Sequence, residues 1–172
     1  LSAAIALAVH EVVFELVPTR QIRIKWPNDI LVDGKKIAGI LIENSLRGSN
    51  IDNSVVGIGL NVNQSEFSIG LNATSLKLES DKEFVLEEIL ELLNHRIEKF
   101  YLQLRLSKYE ALNSELNKVL FAKDELLAIR LNGKDQRVRI VGVEPSGELQ
   151  IQHSDGKITS HQHHEIDWKL KS

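Results

Sequence analysis

The sequence predicts an α+β body followed by a small all-β unit, and three observations carry that prediction. Alternating Ile- and Val-rich stretches with a strong hairpin signal fill the region from Ile22 to Val62. Helical periodicity then governs the chain from Phe84 to about Lys118. From Leu120 onward, short alternating strands are separated by Asn132-Gly133, Ser146-Gly147 and Asp155-Gly156, all good turn formers. The change of period sets the expected boundary, with units at 1–119 and 120–172. The short strands and tight turns of the second unit predict a small antiparallel barrel that closes its own edges.

A chain of 172 residues can bury a core in this arrangement without disulfides, and it has no cysteine. That excludes a disulfide scaffold, a cysteine nucleophile and a thiolate metal site. It is compatible with a reducing compartment, so the cytoplasm is the expected location. A formal net charge of -3 gives no global attraction to nucleic acid or to an anionic membrane. No apolar run approaches the roughly 20 residues that a membrane-spanning helix needs.

In chain order, "SAAIALAVHEVVFEL" is a strongly apolar helix, with Ser2 the expected N-cap and His10, Glu11 and Glu15 its polar side. It begins at once after Leu1, so the chain is expected to lack its true beginning. Pro18 and Thr19 stop the helix. "IRIKW" then alternates Ile22, Ile24 and Trp26 with Arg23 and Lys25, the pattern of a half-buried strand, and Pro27 interrupts it. "ILV", Asp33-Gly34 and "KKIAGILIE" form a β-hairpin around a two-residue turn. Ser45 to Asn53 reads as a surface loop.

"VVGIGLNV", Val55 to Val62, is a further strand in which Gly57 and Gly59 alternate with larger residues. Glycines at a period of two leave one face bare, which suits either tight packing or the close approach of a flat ligand. "SDKE", Ser80 to Glu83, has the form of a capping box ahead of an amphipathic helix with Leu86, Ile89, Leu90, Leu93, Ile97, Phe100, Tyr101 and Leu104 on its apolar side. "SKYEALNSEL" repeats the capping pattern from Ser107 and adds a shorter helix.

Chemistry concentrates in "KWPNDILVDGKKIAGILIEN", Lys25 to Asn44. Lys25 and Lys36 are candidates for binding a carboxylate or phosphate, Lys36 the better placed because it stands at the mouth of a turn. Asp29 can accept a proton or hold an attacking amine, and Asn28 can position a ligand; either can instead fix the Pro27 bend through a backbone hydrogen bond. Trp26 fits the core better than a stacking role. No phosphate-binding GxxxxGK[ST] loop, dinucleotide fingerprint, GxSxG elbow or HExxH pair occurs. "HQHHE", His161 to Glu165, has weak spacing for a metal and is expected to be a solvated barrel edge.

Taken together, "KWPND", a hairpin ending in Lys-Ile-Ala-Gly-Ile and "GIGLNV", in that order, resemble the catalytic domain of biotin protein ligases, also called biotin–[acetyl-CoA-carboxylase] ligases. "GVEPSGELQI" is similar to that family's C-terminal β domain. The resemblance implies a class II aminoacyl-tRNA synthetase-like domain, a mixed sheet with helices, followed by a small SH3-like β-barrel. It implies activation of biotin with ATP and Mg2+ to biotinyl-5'-AMP, and transfer to a lysine of a biotin carboxyl carrier protein domain. Lys36 and Asp29 match the catalytic lysine and aspartate. Asn28, Gly39, Ile40, Gly57, Gly59 and Asn61 match positions around biotin and the adenylate. A homodimer is also implied. The family's glycine- and arginine-rich loop, expected upstream of the first helix, is not found before Leu1. Alternatives are a noncatalytic homologue that binds the carrier or dimerises, and a lipoate- or octanoate-transferring relative.

Overall fold

In the computed structural model, which describes residues 1–48 and 50–168, the hairpin-rich region forms a four-stranded sheet of order β1-β2-β3-β4. Its strands are β1 (Ile22–Lys25), β2 (Asp29–Val32), β3 (Lys35–Arg47) and β4 (Asn50–Leu60). Every ladder is antiparallel, and parallel character comes from isolated bridges that join Ile24 to Leu120 and Lys36 to Ala73. The β2–β3 turn is built as expected, with Asp33 at φ 48° and Gly34 at φ 81°, the paired positive angles of a two-residue hairpin.

α1 (Ser2–Leu16) is buried from Ala4 through Val9 and again at Val12 and Val13, because an almost wholly apolar helix must be enclosed on most sides. It contacts β1, β2 and β3 as well as α3 (Leu86–Arg105) and α4 (Tyr109–Lys118). Its polar side pairs with α3, Glu11 meeting Lys99 at 2.8 Å. Apolar residues of both halves of the chain, from Ala4 to Ile166, belong to one buried cluster.

The second sheet has the order β8-β7-β6-β5-β9, antiparallel throughout. Its strands are β5 (Leu126–Leu131), β6 (Lys134–Val143), β7 (Leu149–Gln152), β8 (Ile158–His161) and β9 (Ile166–Trp168). Asn132 and Gly133 turn at φ 47° and 78°, Gly147 and Gly156 at 99° and 86°, so the three sequence turns fall where the strands reverse. The connection between the two sheets is part of the first one. Ile24 donates its N–H to Val119 and accepts from Phe121, which covers the outer edge of β1.

Several local expectations fail for identifiable reasons. Leu1, and not Ser2, occupies the N-cap of α1, without a side-chain bond. Ser80 and Glu83 do not cap α3. Ser80 ends a short helix, α2 (Leu76–Ser80), and bonds back to the Leu76 carbonyl, while Glu83 pairs with Lys77 at 2.6 Å. Ser75 is the cap instead, accepting from the Leu78 N–H at 3.2 Å. Ser107 adopts φ 56° and gives the N-cap of α4 to Lys108. The expected loop at Ser45 to Asn53 is the extension of β3 and β4, paired from Ser45–Asn53 out to Arg47–Asn50. His161 ends the edge strand β8, and the exposed stretch that follows is not strand but a 3-10 turn at His163–Glu165, in which Glu165 accepts the Gln162 N–H at 2.8 Å.

Candidate functional site

Alternation along a strand sends successive side chains to opposite faces, and register aligns them across strands. Ile24, Ile30, Ala38 and Ile58 lie in neighbouring register rows and face the core with α1. The adjoining row pairs Lys25 with Asp29, Asp29 with Gly39, and Gly39 with Gly59, so it crosses all four strands on the other face. Gly57, opposite Leu41, prolongs the bare strip along β4. A Cβ at Gly57 or Gly59 would find nothing nearer than 3.8 Å, so the strip is open ground and not a packing contact.

Simple alternation would place Lys36 with Ala38 and Ile40 on the core face. It does not lie there, because the β2–β3 ladder carries a bulge: Ile30 pairs with Ala38 and Leu31 with Lys36, leaving Ile37 as the extra residue. Ile37 is fully buried, and Lys36 is turned to the face of Asp29. Its Nζ meets Asp29 Oδ1 at 2.6 Å, with 48% of the lysine side chain exposed but only 19% of the aspartate. The Lys36 stem runs over Gly39, where a Cβ would stand 3.2 Å from both Cε and Nζ. The backbone is fixed as well. Lys36 donates to Asn72 and accepts from Thr74, each at 2.9 Å.

Lys25 is the residue that sequence reasoning weighed and passed over. It is partly enclosed, and its ammonium lies 5.7 Å from the centre of the Trp168 ring of β9. Burial lowers its pKa from the usual value and Lys36 pushes the same way, while Asp29 and Asp167 oppose. The face therefore gathers two ammonium groups around one carboxylate, which favours an anionic ligand. A Lys36 clamp at residues 72–74 and the Ile37 bulge left no signal in composition or turn chemistry.

The other expected positions are used differently. Asn28 donates its side-chain amide to the Ile40 carbonyl at 2.8 Å, and its own carbonyl accepts the Ile40 N–H at 2.9 Å. Ile40 is buried on the core face opposite Gly39, because alternation beyond the bulge takes it there. Asn61 reaches the Thr74 carbonyl at 3.0 Å, tying the end of β4 to the segment that clamps Lys36. Trp26 is in the core, and its indole N–H donates to the Gly147 carbonyl at 2.8 Å. A cavity of about 420 Å³ opens beside Trp26 between the start of α1, α4 and the Glu144–Glu148 turn, and neither Lys36 nor Asp29 lines it. Among the described residues no three His, Cys, Asp or Glu side chains converge to hold a metal, and no helix is long and apolar enough to cross a membrane.

Residues 3–61 match the family model described as the biotin/lipoate A/B protein ligase family. The chain is 36% identical over 103 residues to biotin–protein ligase 1, chloroplastic, of Arabidopsis thaliana, which covers 56% of this chain and 28% of that protein. It is 43% identical over 63 residues to the biotin–[acetyl-CoA-carboxylase] ligase of Paracoccus denitrificans, covering 36% and 26%. These alignments span about a quarter of each relative's length. Among solved structures, the apo biotin protein ligase of Aquifex aeolicus superposes with a TM-score of 0.80 at 26% identity, over 96% of this chain and 72% of that one.

Proposed function

We propose that the row from Lys25 to Gly59 is the adenylation site of a biotin–[acetyl-CoA-carboxylase] ligase, a reading supported by the family match over residues 3–61 and by the likeness to biotin protein ligases. The observation that carries this reading is the Lys36–Asp29 pair standing over a strip of sheet without side chains. A flat, anionic ligand can lie on Gly39, Gly57 and Gly59 and come within reach of Lys36.

In the first step a biotin carboxylate oxygen attacks the α-phosphorus of ATP. The P–O bond to pyrophosphate breaks and biotinyl-5'-AMP forms. Lys36 meets the charge that gathers on the carboxylate and phosphate oxygens, which lowers the barrier. In the second step the ε-amine of the carrier lysine attacks the acyl carbon and AMP leaves. Asp29 then orients that amine and takes its proton. Asn28 and Asn61 serve by holding backbone: one fixes Ile40 beside Gly39, the other ties β4 to the Lys36 clamp. Ile40 supports biotin through that backbone, its side chain being in the core.

Mg2+ finds little here. Asp29 is the one carboxylate in the row, it is paired with Lys36, and Lys25 adds a second positive charge beside it. That donor set does not fit a protein-held divalent cation, and no step depends on one. We assign the carrier partner to a biotin carboxyl carrier protein domain, the reaction to the cytoplasm, the residues from 120 onward to a separate SH3-like unit, and a homodimer contact to β4, whose Ile51 and Val55 are exposed.

The test is biotin-dependent exchange of pyrophosphate into ATP by the full-length protein, followed by transfer of biotin to a carrier domain. Lys36→Ala is expected to lower exchange about 100- to 1000-fold while the far-ultraviolet circular dichroism is unchanged. A folded Lys36→Ala protein with near-normal exchange would overturn the role given to Lys36, and a folded wild type without either reaction would overturn the ligase reading.

A further inference from the structure

We propose that Lys25 is a positioning residue that alternates with Lys36 as the counter-ion of Asp29, freeing Lys36 to meet the substrate. The proposal deepens the ligase reading, on which its kinetic part rests. It begins from a conflict in the geometry. At 2.6 Å from Asp29 Oδ1, the Lys36 charge is engaged by a protein carboxylate and not directed at a ligand. To bind an anion, Lys36 must turn away, and Asp29, only 19% exposed, would then keep a charge with no partner. Leaving a shielded carboxylate uncompensated is strongly unfavourable, so Lys36 would stay where it is.

Lys25 removes the conflict. Its register partner is Asp29, so the two side chains leave adjacent strands on the same face. Its charge is felt by both members of the pair, attractively by Asp29 and repulsively by Lys36. Among the described residues it makes no ion pair of its own within 4 Å; Trp168 shelters it at 5.7 Å. Its ammonium thus leaves the strand beside Asp29, with Asp167 the other carboxylate that acts on it. The departing Lys36 also has somewhere to go, because the strip at Gly57 and Gly59 carries no side chain and a Cβ there would meet nothing nearer than 3.8 Å. Two cations beside Asp29 allow the exchange, with Asp167 also acting on Lys25: whichever lysine holds Asp29, the other is released from it. With Lys25 on Asp29, the free charge is the one that overlooks the glycine strip.

The experiment uses Lys25→Gln and Lys25→Arg in the full-length protein, each first checked for wild-type thermal unfolding. Surface acylation with an N-hydroxysuccinimide acetate, followed by mass spectrometry, reports how often Lys36 is free, whatever reaction the protein catalyses. Lys25→Gln is expected to slow acylation of Lys36 several-fold, because Lys36 is then the only cation available to Asp29, and Lys25→Arg is expected to restore it. In pyrophosphate exchange, Lys25→Gln lowers kcat about 10-fold or more with little change in the KM for biotin, and Lys25→Arg recovers most of the loss. Unchanged or faster acylation of Lys36 in Lys25→Gln, or an arginine variant no better than the glutamine one, overturns the proposal. If the folded wild type shows neither exchange nor transfer, the ligase reading falls, and the acylation result still decides whether the two lysines trade places.

Discussion

Gly39→Ala separates the site from the fold that carries it. The new Cβ would lie 3.2 Å from Lys36 Cε and Nζ and 3.6 Å from Asp29 Oδ1, against an ordinary contact of 3.4 Å or more. The two atoms in the way are the end of a long side chain that is 48% exposed, so Lys36 can move aside by a few tenths of an ångström. What the fold loses is at most the partly exposed ion pair, about 0.2–1 kcal/mol. A gain of about 0.5 kcal/mol or more, from replacing glycine in a strand, offsets part of that. Thermal unfolding should therefore shift by no more than about 4 °C. Catalysis is less tolerant, since Lys36 is displaced from the strip where the ligand would lie. A misplacement of this order lowers pyrophosphate exchange about 100-fold, or about 2.7 kcal/mol of transition-state stabilisation. Circular dichroism melts and biotin-dependent exchange on the same preparation give both numbers. Exchange within about twofold of wild type, or a melting point lowered by more than about 8 °C, would refute the reasoning.

Three further outcomes follow from the same contacts. Asp29→Asn should reduce biotin transfer from preformed biotinyl-5'-AMP to the carrier about 100-fold or more, and reduce pyrophosphate exchange less; equal losses in the two assays would remove the assigned role in transfer. Asn117→Ala takes away the acceptor of the Val143 N–H at 2.7 Å and the donor to its carbonyl at 2.9 Å, which join α4 to β6; urea melts should show a loss of about 2–3 kcal/mol, and a loss below about 0.5 kcal/mol would contradict it. His10 is held by burial below its usual pKa of 6.5, so the unfolded chain takes up its proton first as the medium is acidified. Folding stability is therefore lost as pH falls below about 6.5, and the difference between wild type and His10→Gln should be level above that pH and decline toward pH 5. A difference that is level throughout would contradict the assignment.

The elements that were legible in the sequence are those fixed by local chemistry. Asp33-Gly34 and Asn132-Gly133 read correctly because positive φ angles are demanded at those two residues and few others accept them. Alternation in "IRIKW" placed Ile22, Ile24 and Trp26 on the core side and Lys25 on the other. Reading failed where tertiary contacts outrank local signals. Ser80 and Glu83 had the form of a cap, but Ser75, fully buried and bonded to the Gln64 carbonyl at 2.6 Å, starts a helix one turn earlier. Lys36 and Asp29 were identified from residue type and family resemblance, whereas their common face depends on the bulge, and the bulge is set by the pairing of Leu31 with Lys36. The importance of Lys25 was hidden because Asp29 becomes its neighbour only when the chain turns back after Pro27.

The extra residue at Ile37 also limits how this hairpin can change in length. Counting from Gly39 back to Lys36, three steps along β3 join two positions on one face, where a regular strand would need an even number. Flattening the bulge would leave three regular steps and rotate the lysine into the apolar layer against α1, where an ammonium is poorly tolerated, while deleting its extra residue would take the fully buried Ile37 out of the core. Adding one would carry it away from Asp29 along the strand. Length variants should thus be accepted at the far tip of β3 and β4, around Arg47 and Asn50, where both strands are exposed, and rejected between Asp29 and Gly39. The spacing of these few residues is as much a part of the site as their chemistry.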